Sequence, residues 1–315
     1  MPRPDLRSVF RTRHAGLRAD LAALQRAVDL PTTVLIVGES GTGKDRLARA
    51  LHDASSRSAL AFVRVDAANL SDDLFESELF GHERGAFTGA VAVKRGLLEV
   101  AGEGTAYLDE VSSLSAAAQA KFLRVLQERT FRRLGGTATH AFRARLIVSS
   151  RRDLAELVAR GAFRDDFFYR IDVVSVRLPT LAERSADILP LAREFLRRAA
   201  REHGAPARRF APGAEETLRR HPWPGNVREL SNVVERAVIA SRGVVVEASD
   251  LPSGALGSPE SLLRAAAERR WTLRELEDAY IEETLRRCGG NRTLAAKRLG
   301  TSRKMLWERR KKKPV

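Results

Sequence analysis

The chain has 315 residues, 43% of them hydrophobic and 30% charged, and a formal net charge of +15. That length suggests two or three domains with material for a buried core. Its one cysteine, Cys288, excludes an internal disulfide and fits a reducing, cytoplasmic setting, and no apolar run of about eighteen residues is available to span a membrane. Residues 286–315 carry twelve Lys/Arg against one acid, Glu308, so +11 of the +15 lies in the last thirty residues. That asymmetry points to a nucleic-acid-binding tail rather than an evenly basic surface.

The first thirteen residues are polar and basic and do not form a secretory signal. Residues 14–29 place Leu17, Leu21, Leu24 and Val28 at helical spacing, and Pro31 ends that helix. Residues 33–37 predict a buried strand, 38–43 a glycine loop, and Lys44 onward a helix through Leu47, Ala48 and Leu51. A second strand is expected at 61–65 and a helix at 73–79, followed by a Gly-rich insertion. Residues 106–108 and 146–149 predict two more strands, each followed by a helical pattern, and 173–176 a fifth, closed by Leu178-Pro179. Strands alternating with helices imply a parallel α/β sheet. Residues 188–240 read as all helical, 251–259 as a linker, and 272–311 as a last helical unit.

Gly38, Glu39, Ser40, Gly41, Thr42, Gly43 and Lys44 have P-loop spacing, after a strand and opening a helix. The N–H groups of such a loop hold phosphate oxygens at a helix N-terminus, and Lys44 would reach the β- and γ-phosphates of ATP. Asp45 stands where the general pattern has Ser/Thr, so the usual hydroxyl to Mg²⁺ is absent. Some seventy residues on, a strand ends in Asp109-Glu110. Asp109 would hold Mg²⁺, directly or through water, and Glu110 would polarise the attacking water. A ligand-free glycine turn is the plainer alternative for the first motif, and the second motif argues against it.

Phosphoryl transfer also calls for positive charge on the transferring group. Arg164 and Arg170 offer it; six residues apart on a helix they need not share a face, so both would act only across a subunit boundary. Surface pairing with Asp165 and Asp166 is the alternative. Arg228, at the start of a helix in the 188–240 segment, could fold onto the nucleotide. Between the two halves of this site lie Gly85, Ala86, Phe87, Thr88, Gly89 and Ala90. ATP chemistry has no use for this uncharged, Gly-flanked hexapeptide, which suits a loop moved by the site.

In the basic tail, residues 275–285 form an amphipathic helix stopped by Gly289-Gly290-Asn291. Short helices at 293–299 and 302–310 around Gly300 fit a helix-turn-helix. Arg303, Lys304 and Arg310 would face the groove or phosphates of double-stranded DNA, while Met305 and Leu306 face inward.

Together these blocks resemble the AAA+ transcription activators of sigma-54 RNA polymerase, across nearly the whole chain. The most specific are residues 38–45, Glu78-Leu79-Phe80-Gly81-His82-Glu83-Arg84 running into 85–90, and 223–230. In that family an acid after the P-loop lysine is usual, so Asp45 fits. Asn291, Ala295-Ala296 and Leu299-Gly300 resemble the Fis-type unit that ends the family. The resemblance implies an AAA+ P-loop parallel sheet with a helical lid and a small all-α helix-turn-helix domain. The expected organisation is an N-terminal segment and first helix at 1–30, the α/β ATPase part at 31–185, the lid at 186–250, a linker at 251–270 and the helix-turn-helix at 271–315. It further implies assembly into a ring, commonly a hexamer, with Arg164 and Arg170 as arginine fingers onto the next subunit's ATP and Arg228 as second sensor. The hexapeptide would contact sigma-54, and ATP hydrolysis would convert closed promoter complexes to open ones.

Two positions depart from the family. Asp66 stands where an asparagine normally restrains the hydrolytic glutamate, and an ionised Asp cannot donate that bond. Ser150-Arg151 replaces the Thr-Asn of the first sensor. Both bear on how nucleotide state reaches the loop, and they motivate an alternative: a DNA-binding regulator that binds ATP with little hydrolysis. A AAA+ remodeller of another protein is a further alternative, one that leaves residues 85–90 and the basic tail unexplained. Fewer than forty residues precede the P-loop, so no receiver or sensor domain is expected ahead of it here; either a separate partner regulates the chain or it is part of a longer protein.

Overall fold

The structure is a computed structural model that describes residues 5–68, 72–252, 271–287 and 291–301. The chain divides into two compact units, Met1–Leu251 and Pro252–Val315.

The first unit begins with α1 (Leu6–Val9) and α2 (Ala15–Arg26). His14 caps α2 by accepting the Leu17 N–H at 3.1 Å, and Leu17, Leu21 and Leu24 form its buried stripe. A five-stranded parallel sheet follows, built from β1 (Val34–Val37), β2 (Phe62–Asp66), β5 (Thr105–Asp109), β8 (Arg145–Ser150) and β9 (Val174–Arg177) in the order β2-β5-β8-β1-β9. Strand periodicity divides the sheet's side chains between two cores. Val34, Ile36, Tyr107 and Ile147 pack with α2 and α3 (Lys44–Asp53) on one face. Leu35, Leu108, Leu146 and Val148 pack with α4 (Asp72–Phe80), α5 (Leu97–Ala101), α6 (Ala116–Glu128), α7 (Leu154–Ala159) and α8 (Asp165–Ile171) on the other. Both faces are covered, which is why the strands read as continuous apolar runs.

Two antiparallel ribbons interrupt this scheme: β3 (Gly81–His82) with β4 (Lys94–Arg95), and β6 (Thr130–Arg132) with β7 (Thr139–Ala141). The segment after the sheet holds α9 (Ile188–Glu202), α10 (Pro212–Arg220) and α11 (Asn226–Ala240). The periodicity predicts an all-helical segment over 188–240, and the structure departs from it at Arg209–Phe210. β10 (Arg209–Phe210) pairs in parallel with β11 (Val245–Val246), because the turn after α9 needs backbone partners and a two-residue strand supplies them without any periodic signal.

In the second unit, α12 (Leu273–Arg287) precedes α13 (Arg292–Arg298). Buried Ala295 and Ala296 pack against Ile281, Leu285 and Leu299, and the Asn291 side chain caps α13 through the Thr293 and Leu294 N–H groups at 3.1 Å each. Arg303, Lys304 and Arg310, expected at the DNA, lie outside the described residues, as do Met305 and Leu306.

Candidate nucleotide-binding site

In a parallel sheet all strands end on one edge, and the crevice there is where ligands bind. The predicted residues meet at that edge. The P-loop leaves β1, Asp109 and Glu110 end β5, and Ser150-Arg151 end β8. Ser40, Lys44, Asp45, Asp109, Glu110 and Arg151 line a cavity of about 520 Å³ together with Arg64, Asp66 and Arg228. A larger hollow of about 710 Å³, beside Arg197, Arg201 and Arg208, lies away from these groups.

The lid clamps the P-loop through backbone contacts. Gly41 has φ +79°, and a Cβ there would come within 2.3 Å of the Gly225 oxygen, so only glycine fits. The Val227 N–H donates to the Gly41 oxygen at 2.9 Å. Asn226 is fully buried at φ +53°. It accepts the Leu181 N–H at 2.7 Å and donates to the Ser40 oxygen at 3.1 Å and Glu39 Oε2 at 3.3 Å. The sequence alone gives Asn226 no role, because its bonds run to segments distant in the chain. Arg184, almost fully buried, donates to the Thr42 oxygen at 2.7 Å and stacks over Phe10.

Lys44 donates to the Gly38 and Glu39 oxygens at 2.7 and 3.2 Å. Burial lowers its pKa, opposed by the charges of Glu110, Asp109 and Asp45. Asp109 Oδ1 accepts from Ser149 Oγ at 2.5 Å and lies 3.0 Å from the Tyr107 hydroxyl; Oδ2 accepts from Arg64 at 2.5 Å. Burial pushes the Asp109 carboxyl up, and the Ser149 and Tyr107 hydroxyls with Arg64 outweigh it, so the net shift is downward. Burial also holds the Tyr107 phenol far above its ordinary pKa, keeping it a donor. Asp45 lies 2.9 Å from both the Tyr107 hydroxyl and Arg64 Nη1.

Glu110 has φ +62°, an outlier for a residue with a side chain, at the turn leaving β5. Its carboxylate accepts the Arg151 N–H, 3.2 Å from each oxygen, and the Ser112 hydroxyl. The Arg151 guanidinium is 3.9 Å from Oε1. The Asp66 side chain accepts the Ala68 N–H at 2.9 Å. Arg228 Nη1 donates to Ser40 Oγ at 3.0 Å. Arg164 and Arg170 do not line the cavity: Arg164 forms a two-bond pair with Asp166 at 3.0 and 2.7 Å, and Arg170 donates to the Leu126 oxygen at 2.7 Å.

The hexapeptide stands on the β3–β4 ribbon. The Gly85 N–H closes its base onto the Ala90 oxygen at 2.8 Å. Gly85 and Gly89 both have positive φ with open space around them, Thr88 is exposed, and Phe87 is 45% exposed with its ring edge-on to His82 at 5.0 Å. Arg133, which follows β6, bonds Glu83 at 2.9 Å and Glu99 at 2.8 Å, tying the second ribbon to the first. Sequence reasoning missed both that clamp and Arg64.

A P-loop on β1, paired carboxylates on β5 and a small lid closed onto the loop define an AAA+ ATP-binding module. Residues 10–177 match the family described as the Sigma-54 interaction domain, 182–267 the AAA+ ATPase lid domain, and 272–312 the bacterial regulatory protein, Fis family. The chain belongs to the Sigma-54 interaction domain family, with a lid and a Fis-type helix-turn-helix. It is similar to the transcriptional regulatory protein ZraR of Klebsiella oxytoca, at 44% identity over 92% of this chain and 66% of that protein. It is also similar to the regulatory protein AtoC of Escherichia coli K12, at 44% over 87% and 61%. The chain thus spans 61% to 66% of the length of these two relatives. Among solved structures, NtrX from Brucella abortus in complex with ATP aligns with a TM-score of 0.70 and 36% identity, over 95% of this chain and 68% of that one. No helix among the described residues is long and apolar enough to cross a membrane.

Proposed function

We propose that this chain is an ATP-driven activator of sigma-54 RNA polymerase, binding upstream DNA and using hydrolysis to convert closed promoter complexes to open ones. The observation that carries this reading is the placement of an exposed Phe87-Thr88 loop on a ribbon that grows out of the nucleotide-binding fold. The P-loop N–H groups and Lys44 hold the phosphates, and Arg228 adds charge from the lid. Asp109 would hold Mg²⁺, which would offset phosphate charge. Its donor set fits: one carboxylate oriented by two hydroxyls suits a hard cation that takes its other ligands from phosphate and water. No group of three or more metal-binding side chains exists among the described residues, so a closed protein cage is not what this site offers. Glu110 orients the attacking water. Arg164 and Arg170 act on a neighbouring subunit's nucleotide in a ring, probed by the oligomeric state and by Arg164→Ala.

Steady-state phosphate release tests the reading. Glu110→Gln is expected to lower turnover by roughly 10²–10⁴-fold while leaving nucleotide binding intact. The second reading, ATP binding with little hydrolysis, is favoured by the Arg151 contacts to Glu110. It predicts no turnover in the wild type, a result that would remove the motor.

A further inference from the structure

Arg64 has no part in that function, yet it forms ion pairs with both Asp45 and Asp109. One guanidinium nitrogen lies 2.9 Å from Asp45 Oδ2, and another lies 2.5 Å from Asp109 Oδ2. Tyr107 approaches the other oxygen of each acid, at 2.9 and 3.0 Å. The two carboxylates are therefore joined on one side by a phenol and on the other by a planar, two-pronged cation. Arg64 lies opposite Tyr107 in the β2–β5 register, two residues before the strand ends, so its side chain needs only to run along the edge to reach Asp109. About half the Arg64 side chain stays exposed, so it has room to swing away.

We propose that Arg64 is a built-in counter-ion of the Asp45–Asp109 pair, which an arriving divalent cation must displace, so that Arg64 sets the Mg²⁺ concentration at which nucleotide is bound tightly. The physics is competition for one carboxylate oxygen. Asp109 Oδ1 accepts from Ser149 and faces the Tyr107 hydroxyl, whose one proton it shares with Asp45, so Oδ2 is the more open oxygen for a metal, and that is the oxygen Arg64 holds. Arg64 also neutralises charge that would otherwise repel the phosphates of a metal-free nucleotide. Removing it should therefore strengthen metal-assisted binding and weaken metal-free binding. The inference rests on the reading of Asp109 as the metal-holding residue.

The test uses the full chain and a fluorescent ADP analogue, titrated with MgCl₂ from an EDTA-treated start. In Arg64→Ala the half-saturating Mg²⁺ concentration should fall by roughly three- to tenfold, the scale of two partly exposed ion pairs. Affinity in EDTA should fall as well. Arg64→Lys, a point charge that cannot fork across two carboxylates, should lie between. Melting in EDTA without nucleotide gives a readout independent of the metal: Arg64→Ala should melt below wild type, and the gap should close with saturating Mg²⁺ and ADP. An unchanged Mg²⁺ dependence, or equal melting in EDTA, overturns the counter-ion role alone. A wild type whose nucleotide affinity ignores Mg²⁺ overturns the metal reading of Asp109 and this inference with it.

Discussion

Glu110 is held in a left-handed backbone state that costs a residue with a side chain about 1–2 kcal/mol. The surrounding structure meets that cost with a bond from the Glu110 N–H to Ser149 Oγ and with bonds to its carboxylate from the Ser112 hydroxyl and the Arg151 N–H. The carboxylate is thus oriented from β8 and from its own turn. Asp66, at the end of β2, is an acceptor toward Ala68 and, when ionised, offers Glu110 no donor. Basal ATP turnover of the wild type should therefore exceed that of Asp66→Asn, which restores an amide donor; equal rates would remove Asp66 from the control of Glu110. Lys44 is legible in the sequence from the glycine spacing of the P-loop, and Asp109 and Glu110 because the end of a buried strand can be read from its apolar run. Arg64 is not. Within residues 62–66 it takes the polar position of a half-buried strand, which reads as solvent-facing, and only its pairing opposite Tyr107 carries it to Asp109.

At the scale of elements, the lid and P-loop act as one body through Asn226. Asn226→Ala leaves the Leu181 N–H and the Ser40 oxygen without this partner in a buried setting. It should cost about 1–3 kcal/mol in urea unfolding and weaken nucleotide binding; Asn226→Asp, which sets a buried carboxylate against Glu39 and the Ser40 oxygen, should cost at least as much. The two ribbons are joined by Arg133, whose bonds hold the Glu99 carboxyl below its ordinary value of 4.5. Because the folded value is the lower one, the stabilisation is complete above the unfolded value and is lost as pH falls through the folded one. Glu99→Gln should thus destabilise the chain by about 1–3 kcal/mol near pH 7, and the gap to wild type should shrink at pH values below about 4. A gap independent of pH would mean the pair contributes packing alone. These ribbons escape sequence reasoning for a plain reason. Strands of two or three residues carry no periodicity, and the contacts that fix them, such as Gly135 against Ala86, join segments distant in the chain.

For the whole molecule, the parallel α/β sheet, the lid and the helix-turn-helix are readable because glycine loops, apolar runs and the basic tail each carry a strong local signal. The pairing inside the lid is not, since β10 and β11 lie more than thirty residues apart. The Arg164 pair with Asp166 is the surface pairing the sequence offers as the alternative, whereas the Arg170 bond to the Leu126 oxygen carries no sequence signal; the work proposed for both lies in another subunit. In the proposed function these parts work together: hydrolysis at Glu110 would move the exposed loop against sigma-54 polymerase. Open-complex formation on a sigma-54 promoter, scored beside phosphate release, tests it most directly. Wild type with ATP should open the promoter, and Thr88→Ala should keep its ATP turnover but lose opening. Opening by Thr88→Ala at the wild-type level, or activity with a sigma-70-type polymerase on linear DNA, would contradict a loop that acts on sigma-54.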